Sequence, residues 1–166
     1  MVEIRRGQND PAAIDRLLRS LPDWFGIEES IVDYVRDAHS KPTYLAVDPS
    51  GGVVGAMLVT DHNASTKEIH LMAVAADHQR LGIGRALVNA LESDARRAGV
   101  KLLEVKTLGP SMDYEPYART REFYHAVGFV PVEEIVGLWP GNPCLIMVKP
   151  LVPGADVDYS AELATG

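Results

Sequence analysis

The chain has 166 residues, of which 46% are hydrophobic and 23% charged, and its formal net charge is −7. This length suits one well-buried core and is short for two ordinary domains, so a single domain is expected. The composition excludes fibrous and disordered classes, and the negative charge argues against sequence-independent binding of nucleic acid. No segment is apolar enough to span a bilayer and no signal-peptide core is present, so a cytosolic (cytoplasmic) protein without a membrane partner is expected.

The only cysteine, Cys144, excludes an intramolecular disulfide. No group of cysteines or histidines has the spacing of a metal site, because Glu68 and His70 form only a short pair. The sequence therefore predicts a fold that depends on its core alone, and no metal cofactor.

Apolar periodicity and breaker residues predict the elements in chain order. After a first strand they are a helix from Asn9 or Asp10 to Pro22, a helix at 28–37, strands at 43–47, 53–60 and 67–75, a helix at 82–98, a strand at 102–107, a helix at 116–127, and strands at 129–135 and 144–149. The order β α α β β β α β α β β predicts antiparallel hairpins followed by a strand-helix-strand unit and a final pair. Periodicity stops near Pro153, so we expect one domain over residues 1–151 and an acidic, flexible tail over 152–166.

Two glycines one residue apart, Gly82 and Gly84 in QRLGIGRAL, lie where the predicted strand at 67–75 leads into the predicted helix at 82–98. Such a helix N-terminus binds anions, because its first N–H groups lack partners and the helix dipole is positive there. Arg80 and Arg85 flank the turn and would add charge for a polyphosphate. The third glycine of a dinucleotide fingerprint is replaced by Leu87, and no nucleoside-triphosphate loop is present. The glycines could also make only a tight turn, and at this point both interpretations are open.

The wider segment resembles the acyl-CoA signature Q/R-x-x-G-x-G/A of the GNAT superfamily of N-acetyltransferases, with Gln79, Gly82 and Gly84 at the matching positions. A second segment, FYHAVGF, with Tyr124 and Gly128, looks like the family's YxxxGF segment. The order of elements is similar over nearly all of residues 2–150. The resemblance implies an α/β (α+β) GNAT fold: a central mixed, largely antiparallel sheet of about six to seven strands, about four flanking helices, and a splayed parallel strand pair.

The resemblance also implies that acetyl-CoA, as acyl donor and without a metal, binds between the splayed strands, and that an amine attacks it directly in a ternary complex. Carried over by position, Met72, Ala73 and Val74 would present main-chain groups to the pantetheine arm. This is chemically reasonable, because a strand that loses its neighbour has free N–H and C=O groups. The residues expected around the pyrophosphate are Gln79, Arg80, Leu81, Gly82, Ile83, Gly84 and Arg85.

Catalysis needs a proton acceptor, because an aliphatic amine with a pKa of about 10.4 is almost wholly protonated at neutral pH. Strict alternation along KEIHLMAV puts Glu68, His70, Met72 and Val74 on one face of the strand. In line with the resemblance, we expect Glu68 first and His70 second as the base, although each could be an ordinary residue of the sheet. Tyr124 matches the family's acid, which protonates the departing thiolate, and could instead be a core aromatic residue.

The segment LPDWFG places Trp24 and Phe25 between the first two helices, a connection that overhangs the acceptor pocket in the family. These aromatic residues could line that pocket or close the core beneath the loop. Asp113 and Tyr114 are expected near the same side, which would make an acidic, aromatic site for a cationic amine. At two helix positions where many members have asparagine and alanine, this chain has Tyr117 and Thr120.

The sequence thus predicts an N-acetyltransferase acting on a primary amine of a small molecule or peptide. The alternatives are an acyl-CoA-binding regulatory module without turnover, and an acetyltransferase of protein lysines or N-termini. A homodimer is also open, because family members often dimerise, and Trp139 could then serve the partner's site. The acceptor itself is not identified by the sequence.

Overall fold

A computed structural model describes residues 1–151, and the expected acidic tail at 152–166 lies outside the described residues. The strands are β1 (Glu3–Arg6), β2 (Thr43–Val47), β3 (Val53–Asn63), β4 (Thr66–Val74), β5 (Leu102–Leu108), β6 (Val130–Trp139) and β7 (Asn142–Pro150). The α-helices are α1 (Pro11–Arg19), α2 (Glu28–Asp37), α3 (Ile83–Arg97) and α4 (Glu115–Ala126). This is the predicted order of elements.

The strands form one mixed sheet in the order β1-β2-β3-β4-β5-β7-β6. Every neighbouring pair is antiparallel except β4 and β5, which are parallel. One apolar cluster joins one face of the sheet to α3 and α4, and a second cluster joins the other face to α1 and α2. The sheet is therefore the middle of three layers. None of the helices within residues 1–151 is long and apolar enough to cross a membrane.

The first helix begins as its sequence predicts. The Asp10 carboxylate accepts a hydrogen bond from the N–H of Ala13 at 2.9 Å, and Pro11 occupies the first helical position, where no N–H is needed. The last hairpin is longer than predicted, because β6 continues to Trp139 and β7 begins at Asn142. Much of the segment around Trp139, between the strands predicted at 129–135 and 144–149, is thus strand, with Trp139 paired to Asn142.

The parallel strands β4 and β5 pair only over their first halves. Thr66–Ile69 of β4 is in register with Leu102–Val105 of β5. Beyond these residues β4 stays paired with β3 as far as Val74, while β5 stays paired with β7 as far as Leu108. The two strands therefore separate within the sheet, as predicted, and leave a gap between their carboxyl ends.

A β-bulge lies in β4 where the gap begins. Leu58 of β3 pairs with Leu71. The next residue, Val59, pairs with Ile69, so His70 is the extra residue of the bulge. An extra residue shifts the alternation of side chains by one position. Ile69 accordingly packs in the cluster with α3 and α4, whereas Leu71 packs in the cluster with α1 and α2.

The bulge shows that the prediction of one shared face for Glu68, His70, Met72 and Val74 is wrong. The His70 ring lies on the α2 side, where it packs edge-on against Tyr34. Met72 and Val74 pack against the cluster that contains α3 and α4. The sequence pattern of one strand cannot reveal a bulge, because the bulge is defined by the pairing with the neighbouring strand.

Candidate active site

A cleft of about 390 Å³ opens where β4 and β5 separate. The ends of both strands, the turn into α3, and aromatic residues from α2, α4 and the α1–α2 connection form its walls. The predicted site residues that line it are Trp24, Phe25, His70, Met72, Ala73, Val74, Gln79, Arg80, Gly82, Ile83, Gly84, Arg85 and Tyr124. The predicted residues outside its lining are Glu68, Leu81, Asp113 and Tyr114.

The turn from β4 into α3 holds an unusual backbone. Arg80 has a φ of 63°, a left-handed conformation that costs a non-glycine residue of the order of 1–3 kcal/mol. Gly82, the N-cap of α3, has a φ of 82° and makes no side-chain cap. The Gln79 amide donates to the carbonyl of Val74 at 3.1 Å and so ties the turn to the end of β4. The first N–H groups of α3 are therefore left for an external acceptor.

The two positions of the turn require glycine for different structural reasons. A Cβ on Gly82 would meet no atom within 4 Å, so this position needs glycine for its φ and leaves open space beside the helix N-terminus. A Cβ on Gly84 would lie 3.1 Å from Cζ of Phe123 on α4. Gly84 thus allows α4 to pack closely against α3, whereas Gly82 leaves open space beside the helix N-terminus.

Two exposed arginines give this turn positive charge. Arg80 and Arg85 both line the cleft, and Arg85 also donates to the carbonyl of Ala126 at 3.4 Å. With the dipole of α3, they make the turn a favourable place for phosphate groups.

His70 lines the cleft and is held by a carboxylate. Its Nε2 lies 2.8 Å from Oδ2 of Asp37, the last residue of α2, and its ring centroid is 5.4 Å from that of Tyr34. A histidine whose Nε2–H donates to a carboxylate has Nδ1 free to accept a proton. The structure thus brings together an Asp37–His70 pair, and sequence reasoning did not find Asp37, because 33 residues separate the two.

Glu68 lies beside the cleft in a group of charged residues. Its buried carboxylate is 2.6 Å from Nε2 of His62 and 3.0 Å from Nζ of Lys106, and Lys106 also contacts Glu104 at 2.9 Å. Burial alone would lower the pKa of Lys106, but the hydrogen bonds that its ammonium donates to the two carboxylates outweigh burial and raise it.

The same group has the spacing of a metal site, which the sequence did not predict. Ligand atoms of His62, Glu68 and Glu104 lie within 4.8 Å of one another. The ammonium of Lys106 contacts both carboxylates and offsets one of their two negative charges, so the group is an ion network even without a metal.

Tyr124 is buried and lines the cleft between Phe123 and Phe129, whose ring centroids are 5.3 and 5.4 Å away. Its hydroxyl has no hydrogen-bond partner within residues 1–151. Burial raises the pKa of Tyr124, so the phenol keeps its proton at neutral pH and can donate it.

Thr107 of β5 also lines the cleft, and no motif in the sequence points to it. Its Oγ1 is buried and has no hydrogen-bond partner in the part of the chain that the structure describes. Leaving a buried polar group unpaired costs about 1–3 kcal/mol. A water or a ligand bound in the cleft could supply the missing partner.

An aromatic wall, which we define as Trp24, Phe25, Tyr34 and Tyr117, forms the other side of the cleft. The Trp24 indole donates to Oγ1 of Thr120 at 3.2 Å, and the Tyr117 hydroxyl donates to the Trp24 carbonyl at 3.0 Å. The two departures from the family pattern, Tyr117 and Thr120, thus fix the α1–α2 connection to α4. Burial raises the pKa of Tyr117 to about 12.

The structure does not bring Asp113 and Tyr114 into the cleft. Asp113 is exposed, and the Tyr114 hydroxyl donates to the carbonyl of Asp23 at 2.8 Å. Tyr114 thus adds a further link between α4 and the α1–α2 connection, while the acidic wall that the sequence suggested does not form.

Comparison with known proteins places this geometry in a family. Residues 34–131 match the family model of the acetyltransferase (GNAT) domain. No curated protein sequence matches the chain at a significant level. A solved structure assigned to the GNAT family, from Desulfovibrio desulfuricans, has a TM-score of 0.79 at 23% identity, with 92% of this chain and 100% of that chain covered.

Two further solved structures are similar. The ribosomal-protein-S18-alanine N-acetyltransferase from Escherichia coli has a TM-score of 0.74 at 17% identity, with 96% of this chain and 99% of that chain covered. An aminoglycoside 6′-N-acetyltransferase, complexed with coenzyme A, has a TM-score of 0.71 at 20% identity, with 91% and 98% covered. These likenesses confirm the predicted fold. Because the family model matches more than half of the sequence, the chain belongs to the GNAT family of acetyltransferases.

Proposed function

We propose that the protein is an N-acetyltransferase that transfers the acetyl group of acetyl-CoA to a primary amine of a small molecule or peptide. The observation that carries this proposal is the meeting of three features in one cleft: the positive turn at Gly82, the Asp37–His70 pair, and the neutral Tyr124 phenol. Each corresponds to a need of the reaction, namely phosphate binding, proton removal and proton donation.

The residues of the cleft fit acetyl-CoA. Gly82 leaves the space that a Cβ would fill, and Arg80 and Arg85 offer charge for the phosphates. The backbone of β4 from Met72 to Val74 has no strand partner on its β5 side. The Val74 carbonyl accepts from Gln79, and the other free groups could bond to pantetheine amides. Acetyl-CoA, when bound, supplies a thioester: the amine nitrogen bonds to the acetyl carbon, the carbon–sulfur bond breaks, and the thiolate takes a proton.

His70 is the proton acceptor that the geometry favours. It lines the cleft, whereas the Glu68 carboxylate lies outside the lining and already bonds to His62 and Lys106. Asp37 acts as a positioning residue that holds the imidazole and leaves Nδ1 free. The base is therefore assigned to His70 ahead of Glu68, which reverses the expectation from the sequence.

Tyr124 is the donor for the thiolate in this proposal. Its raised pKa keeps the phenol protonated across neutral pH but also makes it a weaker acid, so its role as donor rests on its place in the cleft. Its hydroxyl has no competing partner within the described residues, and its ring is held by Phe123 and Phe129.

Release of free thiol from acetyl-CoA, measured with a panel of amines, tests the proposal. The protein's own thiol contributes little background, because Cys144 is buried. We expect amine-dependent release that His70→Gln removes. The matched control is His39→Gln, an exposed histidine outside the cleft, which should keep the wild-type rate.

Two outcomes would contradict the proposal. Binding of acetyl-CoA without release for any amine would indicate the regulatory module instead. Alternatively, free thiol could be released only when acceptor proteins are present, and mass spectrometry could then find acetylated lysines or N-termini. That result would indicate a protein acetyltransferase.

A further inference from the structure

We infer that the acceptor is a small primary amine with an aromatic or apolar body and no second positive charge. This inference rests on the proposed function and names the substrate class of the same cleft. It comes from two observations: the composition of the aromatic wall, and the distribution of charge around the cleft.

The cleft passes through the sheet, so its two ends have different surroundings. Met72 and Val74 pack on the α3 and α4 side, next to the positive turn at Gly82. The bulge places His70 on the α2 side, against Tyr34. The anion site and the aromatic wall thus meet at the gap between β4 and β5. If the turn holds the cofactor's phosphates, the aromatic wall is the surface left for the acceptor.

The aromatic wall is pre-organised. Phe25 and Tyr34 pack edge to face, with centroids 6.1 Å apart and planes at 89°, and Tyr34 packs in turn on His70. Two hydrogen bonds with α4 fix Trp24: its indole donates to Thr120, and its carbonyl accepts from Tyr117. Because these rings are already held, an apolar ligand orders few side chains when it binds. Rings that stay half-exposed in a cleft are suited to covering a flat or apolar group.

No carboxylate lines the cleft among the described residues. Arg119, which also lines it, is bonded to Glu115 at 2.6 Å, and Lys106 is bonded to Glu68 and Glu104. The charges of three carboxylates, Glu68, Asp37 and Asp33, act on Tyr34 of the wall. Each already has a partner, which is Lys106 for Glu68, His70 for Asp37 and Arg36 for Asp33. The reacting amine can give its proton to His70, but a second ammonium group would find no partner, and burying an unpaired charge is unfavourable.

Three amines test this inference: phenethylamine, ethylamine and spermidine, each with saturating acetyl-CoA. We expect kcat/KM for phenethylamine to exceed that for ethylamine by about tenfold or more, mainly through KM, because the ring adds apolar contact. Spermidine, with two further charges, should be no better than ethylamine. A higher kcat/KM for spermidine than for phenethylamine would overturn the inference and leave the proposed function intact.

Phe25→Ala tests whether the wall causes the preference. It should lower the ratio of kcat/KM for phenethylamine to kcat/KM for ethylamine towards one. The control is Val132→Ala, an exposed residue of β6 outside the cleft, which should keep the wild-type preference. A second variant, Tyr34→Leu, tests the same wall. If both variants keep the full preference for phenethylamine over ethylamine, the wall does not determine it.

Direct binding separates failure of the inference from failure of the proposed function. The chain has two tryptophans, so Trp139→Phe leaves Trp24 as the only indole and a fluorescent reporter inside the cleft. We expect saturable quenching or enhancement by phenethylamine and none by ethylamine at the same concentration. If no amine is acetylated, that signal still supports the inference, and its absence overturns it.

Discussion

Oδ2 of Asp37 lies 2.8 Å from Nε2 of His70, so the last residue of α2 orients a side chain that the bulge in β4 turns towards it. If His70 is the base, removing the negative charge of Asp37 should impair proton transfer without affecting the cofactor. We expect Asp37→Asn to lower kcat by about ten- to a hundredfold, which is less than the loss of a general base itself, because Asp37 only positions the imidazole. The affinity for acetyl-CoA, measured by calorimetry, should stay the same.

The control for this variant is Asp33→Asn, which removes an exposed carboxylate of the same helix that pairs with Arg36. It should leave kcat unchanged. A pH–rate profile adds a further readout, because loss of the carboxylate should shift the limb that reports the base. An unchanged kcat and profile in Asp37→Asn would show that the pair only supports the fold.

Tyr124→Phe removes the hydroxyl and keeps the ring. We expect a fall in kcat of about a hundredfold and little change in acetyl-CoA affinity, because the phenol acts on the departing thiolate. Since burial raises the pKa of Tyr124, its proton stays in place as the pH rises from 6 to 9, and this residue should not cause an alkaline loss of activity. Tyr44→Phe, whose hydroxyl bonds to Asp94 away from the cleft, is the matched control. Equal kcat in wild type and Tyr124→Phe would remove Tyr124 from the mechanism.

Gly82→Ala should weaken acetyl-CoA binding beyond its effect on stability. The added methyl group stands in the open space at the α3 N-terminus, and a φ of 82° strains alanine by about 1–2 kcal/mol. Gly51→Ala is a close control, because Gly51 has a φ of 90°, an equally open surrounding and a position in the distant β2–β3 turn. Both variants should lose similar stability in thermal unfolding, and only Gly82→Ala should bind acetyl-CoA less tightly. The same affinity for both would contradict an anion site at this turn.

The fold was largely predictable because its signals are local. The capping residue before Pro11, the change from helical to strand period, and the glycine that starts α3 each depend on neighbours in sequence. The parallel pair and its separation followed from the resemblance to the family.

The details of the site depended on contacts between distant parts of the chain. The bulge at His70 is defined by β3, and Asp37 reaches His70 across 33 residues. Nothing in the sequence indicated that Gly84 also lets Phe123 of α4 approach α3 closely. Periodicity describes one element at a time, so it could not show that Glu68 is engaged by His62 and Lys106 outside the lining of the cleft.

Glu68→Gln distinguishes the two candidate bases. The substitution keeps the size of the side chain but leaves His62 and Lys106 with a weaker partner, so we expect a loss of about 1–3 kcal/mol in the free energy of unfolding. The kcat should change by less than about threefold, in contrast to variants of a general base. Glu104→Gln, in the same network, should behave similarly. A fall of kcat as large as that of His70→Gln would return the role of base to Glu68.

The network also predicts a dependence of stability on alkaline pH. The pKa of Lys106 is raised above its ordinary value of 10.5. Its contribution to stability is therefore complete below about that pH and is lost as the pH rises through the higher pKa of the folded state. Glu68→Gln should make this alkaline loss smaller, which denaturant unfolding at pH 9 and pH 11 would measure.

Thr107→Val should stabilise the free protein and weaken acetyl-CoA binding. The Oγ1 of Thr107 is buried without a partner in residues 1–151, so replacing it with a methyl group removes an uncompensated polar atom, with an expected gain of about 1 kcal/mol. Thr43→Val is the control, because Oγ1 of Thr43 is equally buried but donates to the carbonyl of Lys41 at 2.9 Å, and its loss should destabilise the fold. We expect the melting temperature to rise in Thr107→Val and to fall in Thr43→Val. If, in addition, only Thr107→Val binds acetyl-CoA several-fold more weakly, the hydroxyl serves a ligand. If acetyl-CoA binds Thr107→Val as tightly as wild type, the orphaned hydroxyl has no part in cofactor binding.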